Sequence, residues 1–577
     1  MTDDMMMPPP DDFPRDYLYD DEPMLHAEKL RTELVTAESH STPAKTKRRK
    51  AEIVEPPTHG KDGRAVIIFA QGERARVTRG LAQALANGGG IYFSRGGGLV
   101  RLSLREDDDD VDAPVRKFKG SVSIQEPTVP AIIADASRVA TMYKLDSRTN
   151  SWVPTDIPDK VAQSLIAIGP EMAEFPLLTG ITQCPIIRDD GSIHGAAGYD
   201  RDSNLYLSSD EDWSRLRVPA RPTRTDAYGA MMRLIVTTLN DFAFDSEVSL
   251  SSMLSAILTA VIRPTLDAAP LHGFSAPTFG EGKSLQAFAV SMIATGGMGA
   301  VVSPGHNQEE FEKRVDSVIL SGSPVVTLDN ASRAITGDNL CMALTSPSAT
   351  VRIFGTQVQR TIETSAFWMT SGANLTISAD MVRRTVVSYM DASLRGGKDR
   401  KFLRADLLAY IRENRVDILE AVFTMLRAHA QAGYPNVTGD KPLGSFGQWS
   451  RRVVNLLTWL GMPNPVESQK GLLENDPYLE KIGDMLDALY EWQVLVHEKC
   501  TGRATWKVKD VREAVSVHSV DERVKEMRYA LESNSKDGVK ALPYWLRKNR
   551  NVQARGKRLV CASEDGSNGS SWIVELT

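Results

Sequence analysis

The chain has 577 residues, 42% hydrophobic and 25% charged, a globular balance too long for one core, so about three or four domains of roughly 100–200 residues are expected. A formal net charge of −6 excludes a chain-wide attraction to polyanions, so any nucleic-acid site must be a local patch. The four cysteines (Cys184, Cys341, Cys500 and Cys561) contain no close pair, which excludes a CxxC metal site and suits a reducing cytoplasm.

Residues 1–60 hold eight of the 30 prolines, an acidic start and the basic cluster Lys45-Thr-Lys-Arg-Arg-Lys50. Such a segment buries too little apolar surface to offset its ordering entropy and reads as a disordered tail. Residues 61–220 read as a mixed α+β unit. Val66 to Phe69 is a strand, Val77 to Ala86 is helical, and Ile91 to Leu102 is a hairpin turning at Gly96–Gly98. The run Glu106 to Asp110 reads as an acidic loop, and the segment lacks the paired strand acids that primase chemistry needs. An adaptor or collar role is the expectation.

Residues 221–395 read as an α/β unit. Leu250 to Ile262 is the longest apolar stretch; it carries three serines and a threonine, is too short to cross a bilayer, and reads as a buried helix. Strand-helix alternation from Gly273 to Asp391 predicts a parallel sheet with flanking helices. Residues 396–500 read as helical, and 501–577 as a small mixed unit.

The segment Ala276-Pro-Thr-Phe-Gly-Glu-Gly-Lys-Ser284 follows an apolar strand and opens the helix from Leu285. Glycines at 280 and 282 let backbone N–H groups approach a phosphate, and the helix adds its N-terminal dipole. Pro277 to Leu285, that is Pro277, Thr278, Phe279, Gly280, Glu281, Gly282, Lys283, Ser284 and Leu285, therefore form the candidate nucleotide cradle for ATP. Lys283, expected to face solvent, would reach the β- and γ-phosphates, and Ser284 would ligate Mg²⁺. Pro277 stands where the full G-x4-GK[ST] pattern has its first glycine.

Pro324-Val-Val-Thr-Leu-Asp329 is a buried strand ending in a carboxylate, placed to hold the Mg²⁺ shell with Ser284. Asn330 stands where many such sites carry a glutamate, so Asn330 either orients the water or leaves the base elsewhere. Glu310, with Glu309 next, is the candidate base; paired surface charges with Lys313 and Arg314 read equally well. Asn374 ends a further apolar strand as a γ-phosphate sensor candidate. Arg383 and Arg384 either reach a neighbouring subunit's phosphate or bridge to Asp380.

Taken together, Ala276 to Ser284, Leu328-Asp-Asn330, Thr370-Ser-Gly-Ala-Asn374 and Asp380-x-x-Arg-Arg384 give a chain that resembles AAA+ helicases of the superfamily 3 and poxvirus-type primase-helicase branch. It is most similar to the replicative helicase-like proteins of phages and integrative elements. Pro185 to Ser192 and Gly198-Tyr-Asp200 extend the resemblance, which covers roughly residues 90–460. It implies an ASCE/AAA+ P-loop core and a ring-shaped homo-oligomer such as a hexamer that threads single-stranded DNA using ATP. It also implies a primase or initiator protein as a further partner. A non-motor AAA+ switch that loads or marks DNA is the alternative.

Such motors carry a pore hairpin before the sensor strand. Thr350 to Arg360 suits one, with Arg352, Gln357, Gln359 and Arg360 as phosphate contacts, although an ordinary sheet connection reads equally well. In the tail, residues 541–563 carry Arg547, Lys548, Arg550, Arg555, Lys557 and Arg558 and no acid. A helix near Pro543 followed by two strands predicts a winged-helix-like module that binds duplex DNA, a protein-interaction module being the rival.

Overall fold

The computed structural model describes residues 54–60, 62–104, 115–116, 122–209, 211–277, 282–305, 307–331, 335–353, 358–391, 393, 403–474, 477–499, 505–516, 521–534, 538–564 and 569–577. The expected tail up to residue 53, the loop residues Thr278, Phe279, Gly280 and Glu281, and Gln357 lie outside the described residues.

The N-terminal region is built from small sheets. Ala65–Phe69 pairs in parallel with Ala140–Asp146, which pairs antiparallel with Ser151–Thr155. Helices Arg74–Asn87, Val129–Val139 and Asp159–Ile168 close an apolar cluster over it that includes Leu81, Ile132 and Leu165. The glycine-rich hairpin is present as Tyr92–Arg95 and Gly98–Leu104, extended by Val122–Gln125. Its two turn residues, Gly96 and Gly97, both have positive φ, 55° and 71°, the backbone that a tight two-residue hairpin turn demands.

Next come α1 (Arg224–Leu234) and α2 (Glu247–Ile262). The central sheet comprises β1 (Leu271–Ala276), β2 (Ala300–Val302), β3 (Val325–Leu328), β6 (Phe367–Ala373) and β7 (Thr385–Tyr389), with β4 (Ser348–Arg352) and β5 (Gln359–Glu363) forming a separate hairpin between β3 and β6. The sheet runs in the order β7-β1-β6-β3-β2, all parallel. Val115–Arg116 adds an antiparallel strand on the β2 edge. The strands are near-continuous apolar runs because both faces are covered. On one face α2, α3 (Lys283–Thr295) and α6 (Arg415–Gln431) share an apolar cluster with Phe446 to Leu460. On the other lie α4 (Gln308–Ser321) and α5 (Asp338–Thr345). This is the α/β architecture of a P-loop core, with the helix after β1 at the sheet's centre.

The helix containing α2, Glu247–Thr265, is the one described helix long and apolar enough to cross a membrane, and 78% of its apolar window is buried inside the protein. Its serines are accommodated within the packing: Ser252 donates to the Val248 carbonyl and Ser255 pairs with His272. A composition that is apolar all round marks a core helix here.

At the C-terminus, α7 (Pro477–Lys499), α8 (Val508–Ser516), α9 (Glu522–Asn534) and α10 (Leu542–Lys548) precede β8 (Lys557–Ser563) and β9 (Ser571–Leu576). The strands pair antiparallel within a four-stranded sheet. Leu542, Leu546, Leu559, Trp572 and Val574 bury against Leu486 and Trp492 of α7, so the last 36 residues complete a core that begins before residue 500.

Candidate functional site

The site grows from the C-terminal edge of β1, β3 and β6, where the parallel strands deliver their last residues to one rim. Gly282, with φ 99°, turns the chain into α3, a conformation that favours glycine. Lys283 is the first residue of that helix and is only 9% exposed, where a solvent-facing side chain was expected. The helix packs against β1, β3 and β6. Leu285 is half-buried beside the α3 cluster, and Pro277 is exposed at the end of β1.

Ser284 and Asp329 meet. The Ser284 hydroxyl donates to Asp329 Oδ1 at 2.9 Å. Ser371 of β6 donates to the same oxygen at 2.6 Å, and the two hydroxyls are 3.4 Å apart. Asp329 is held from behind by its own N–H, which donates to the Val302 carbonyl at 3.1 Å. A hydroxyl and a carboxylate converging at a helix N-terminus are hard oxygen ligands suited to a hydrated divalent cation of the Mg²⁺ type. Among the described residues no group of three or more His, Cys, Asp or Glu forms a cage. A cation here would draw its other ligands from water and from a substrate's phosphates. Ser371 stands in the sequence within Thr370-Ser-Gly-Ala-Asn374 with no role of its own assigned; its signal is the hydroxyl pair Thr370 and Ser371 inside an otherwise apolar strand next to the aspartate strand.

Asn330 and Asn374 both end strands in the left-handed region, with φ 55° and 47°. Asparagine tolerates that backbone far better than glutamate, which gives a local reason for Asn330 in the position after the strand aspartate. Ala331 then bonds back to the Ser371 carbonyl, and the Asn374 N–H donates to the carbonyl of Ala276. Asn374 is therefore exposed beside the start of the loop, and Asn330 is exposed beside Asp329.

The acids of α4 are engaged elsewhere. Glu310 pairs with Arg314, whose guanidinium also holds the Ser303 carbonyl. Glu309 pairs with Lys313 at 2.7 Å, and that hydrogen bond with its charge holds the Glu309 carboxyl below its usual range. Among the described residues no hydrogen bond joins Glu310 to Ser284, Asp329 or Ser371. Arg383 and Arg384 both bind Asp380, each at 2.6 Å; Arg383 stays largely exposed.

The remaining candidates sit apart from this rim. β4 and β5 pair antiparallel from Ser348↔Glu363 to Arg352↔Gln359. Arg352 is exposed near the tip, whereas Arg360 is bound to Glu126 of the N-terminal region at 2.7 Å. In the tail, Lys557 and Arg555 converge on Asp487, and Arg558 pairs with Glu575. Arg550 pairs with Glu564. Arg547 and Lys548 are exposed on α10, one turn beyond the exposed ring of Tyr544. Most of the charge that makes 541–563 basic in sequence is thus neutralised by acids supplied from outside that segment or from its far end.

Neither a family model nor a curated protein matches the sequence. Among solved structures the chain is similar to an SCCmec type IV Cch active helicase, at 10% identity over 84% of this chain and 97% of that one, with a TM-score of 0.30. It is also similar to a JCV helicase bound to an acetamide compound, at 13% identity over 44% of this chain and 68% of that one, with a TM-score of 0.19. These likenesses are slight.

Proposed function

We propose that the chain is an ATP-driven DNA helicase or translocase, working as a ring-shaped homo-oligomer such as a hexamer in the replication of a mobile element. The observation that carries this reading is the Ser284–Asp329 pair at the rim of the parallel sheet, directly after the Gly282–Lys283 helix start. Bound there, ATP with Mg²⁺ supplies a polarised γ-phosphate and a phosphoanhydride bond. Lys283 would neutralise phosphate charge, Ser284 and Asp329 would hold the cation, and Asn374 would contact the γ-phosphate from β6. Glu310 is the proposed base, which requires release from Arg314; Asn330 would orient the water. Arg383 or Arg384 would serve a neighbouring subunit. Arg352 and the β4–β5 hairpin would meet the single strand, and Arg547 and Lys548 would hold duplex phosphates, with Arg550, Lys557 and Arg558 contributing only if their acids are displaced.

A second reading, a non-motor AAA+ switch that marks or loads DNA with slow hydrolysis, is favoured by one observation: Glu310 and Arg360, a proposed base and a proposed DNA contact, are both ion-paired within the chain. Unwinding of a forked duplex by the purified full chain with ATP separates the two. Strand separation supports the motor; tight ATP binding without separation selects the switch, and no ATP binding overturns both.

A further inference from the structure

The N-terminal hairpin, which takes no part in the nucleotide rim, clasps two elements of the core at once. It approaches β5 closely at Gly96, where a Cβ would lie 2.8 Å from the Thr361 carbonyl oxygen, and the Arg360 guanidinium lies over Gly98. Arg95, which precedes the turn, points into the interior and is only 2% exposed. Its guanidinium donates to the carbonyls of Leu320 at 3.0 Å and Ile319 at 3.2 Å, in the last turn of α4. It also donates to the carbonyl of Glu363 at 3.4 Å, at the end of β5.

The charge suits the place. The last carbonyls of a helix carry partial negative charge and favour a cation. Burial draws the Arg95 pKa down to about 10, opposed by the Glu363 carboxylate, so the group is still charged at neutral pH. A buried arginine with its Nε left unpartnered is an expensive way to fill space that an apolar residue would fill as well. Neighbouring contacts point the same way: Glu126 holds Arg360 of β5, and Ile124 packs on Gly322, the left-handed cap of α4.

We propose that Arg95 is a positioning residue that couples the β4–β5 hairpin to α4, so that a DNA strand engaging the hairpin is felt at the helix whose first turn carries Glu310. This rests on the motor reading above. A displacement of β5 either carries the end of α4 with it or breaks the shared guanidinium contacts, and that is the two-state element that a coupling argument requires.

The test uses the full chain with Arg95→Met, Arg95→Lys and Glu126→Gln, the last on a half-exposed carboxylate outside the core. ATP turnover is measured with and without a saturating single-stranded oligonucleotide, alongside oligonucleotide affinity and the thermal midpoint. The expected result is basal turnover within about twofold of the parent in all three variants and affinity within about twofold in the two Arg95 variants; Glu126→Gln, which frees Arg360, is read only by its ratio at saturation. The stimulation ratio should fall at least about fivefold in Arg95→Met, recover in part in Arg95→Lys, and fall less in Glu126→Gln. An unchanged ratio in folded Arg95→Met overturns the proposal, as does an equal loss of basal and stimulated turnover, which marks a purely structural role. Should Arg95→Met fail to fold, Arg95→Lys and Glu126→Gln decide by the same criteria. A parent that hydrolyses ATP without stimulation by DNA overturns the motor reading, and this one with it.

Discussion

The Ser284 hydroxyl and the Ser371 hydroxyl donate to one and the same oxygen, Oδ1 of Asp329, at 2.9 and 2.6 Å. One carboxylate oxygen thus joins α3 to two neighbouring strands. If a hydrated cation is held here, Ser284 must turn its hydroxyl away from Asp329, and Ser371 then becomes the group that keeps the carboxylate in place.

Ser371→Ala should therefore raise the Mg²⁺ concentration needed for half-maximal ATP turnover by about twofold to tenfold, the value of one hydrogen bond to a charged group's environment. Turnover at saturating Mg²⁺ should change much less, and Ser371→Thr should restore the parent curve. A Mg²⁺ titration of ATPase activity reads this directly. An unmoved half-saturation point would reduce Ser371 to a packing residue.

Lys283→Ala should abolish ATP turnover, a loss of at least about a hundredfold, as expected when a preorganised cation facing developing charge is removed. Because Lys283 is largely buried, its aliphatic stem also packs, so Lys283→Met is the better control for the fold. Near-normal hydrolysis by a folded variant would end the nucleotide assignment.

Glu310→Gln should retain ATP binding and lose hydrolysis if Glu310 leaves Arg314 to act as base. Asn330→Ala should slow turnover only modestly by loosening water and by removing a residue at ease with φ 55°. Normal hydrolysis in Glu310→Gln would place the base elsewhere, with Glu309 next to be tried. Equilibrium nucleotide binding and single-turnover hydrolysis distinguish the outcomes.

The core should soften in mild acid. Burial pulls the His272 imidazole down to about 3 and His429 to about 4, each only partly opposed by a proline carbonyl. In the unfolded chain both take up a proton near 6.5. Between about pH 6.5 and 4 the unfolded state therefore binds protons that the native state refuses, and stability falls with pH by about 1.4 kcal/mol per unit for each histidine. Urea midpoints at pH 7.0 and 5.5 measure the slope. His272→Gln should flatten it by about half; an unchanged slope would show that other groups dominate.

For duplex binding, deletion of residues 541–577 is the wrong experiment, since it removes Leu559, Trp572 and Val574 from a core shared with α7. The side-chain variant Arg547→Ala with Lys548→Ala is clean by comparison. Its duplex affinity should fall, and the slope of log affinity against log salt should shrink by about 0.9 for each phosphate that the variant no longer neutralises. Anisotropy titrations at two salt concentrations decide it. Unchanged affinity and slope would turn the tail into a protein-interaction module.

Much of the core could be read from sequence because a parallel strand buried on both faces is written as an apolar run, and β3 and β6 are such runs. The meeting of Ser284 with Asp329 followed from the same logic, since both end at the sheet's C-terminal rim. What escaped depended on register and on distant partners. Ser371 matters because β6 lies beside β3 in a register that pairs Thr370 with Leu328. Arg360 is held by Glu126, and Lys557 by Asp487, 70 residues earlier. Local composition names the charges but is silent about which of them a fold brings together, so the basic stretches read as more available than they are.

The two residues Val115–Arg116 have a practical bearing. They complete the sheet by covering β2, the strand that would otherwise present unpaired N–H and C=O groups at the edge of the central sheet. A fragment trimmed to begin at residue 221, which sequence boundaries would recommend for crystallisation or assay, would be cut from its own edge protection as well as from Arg95. Such a fragment should stick to copies of itself along β2 and give sluggish, concentration-dependent preparations. A start before residue 65 keeps the selvage on the cloth.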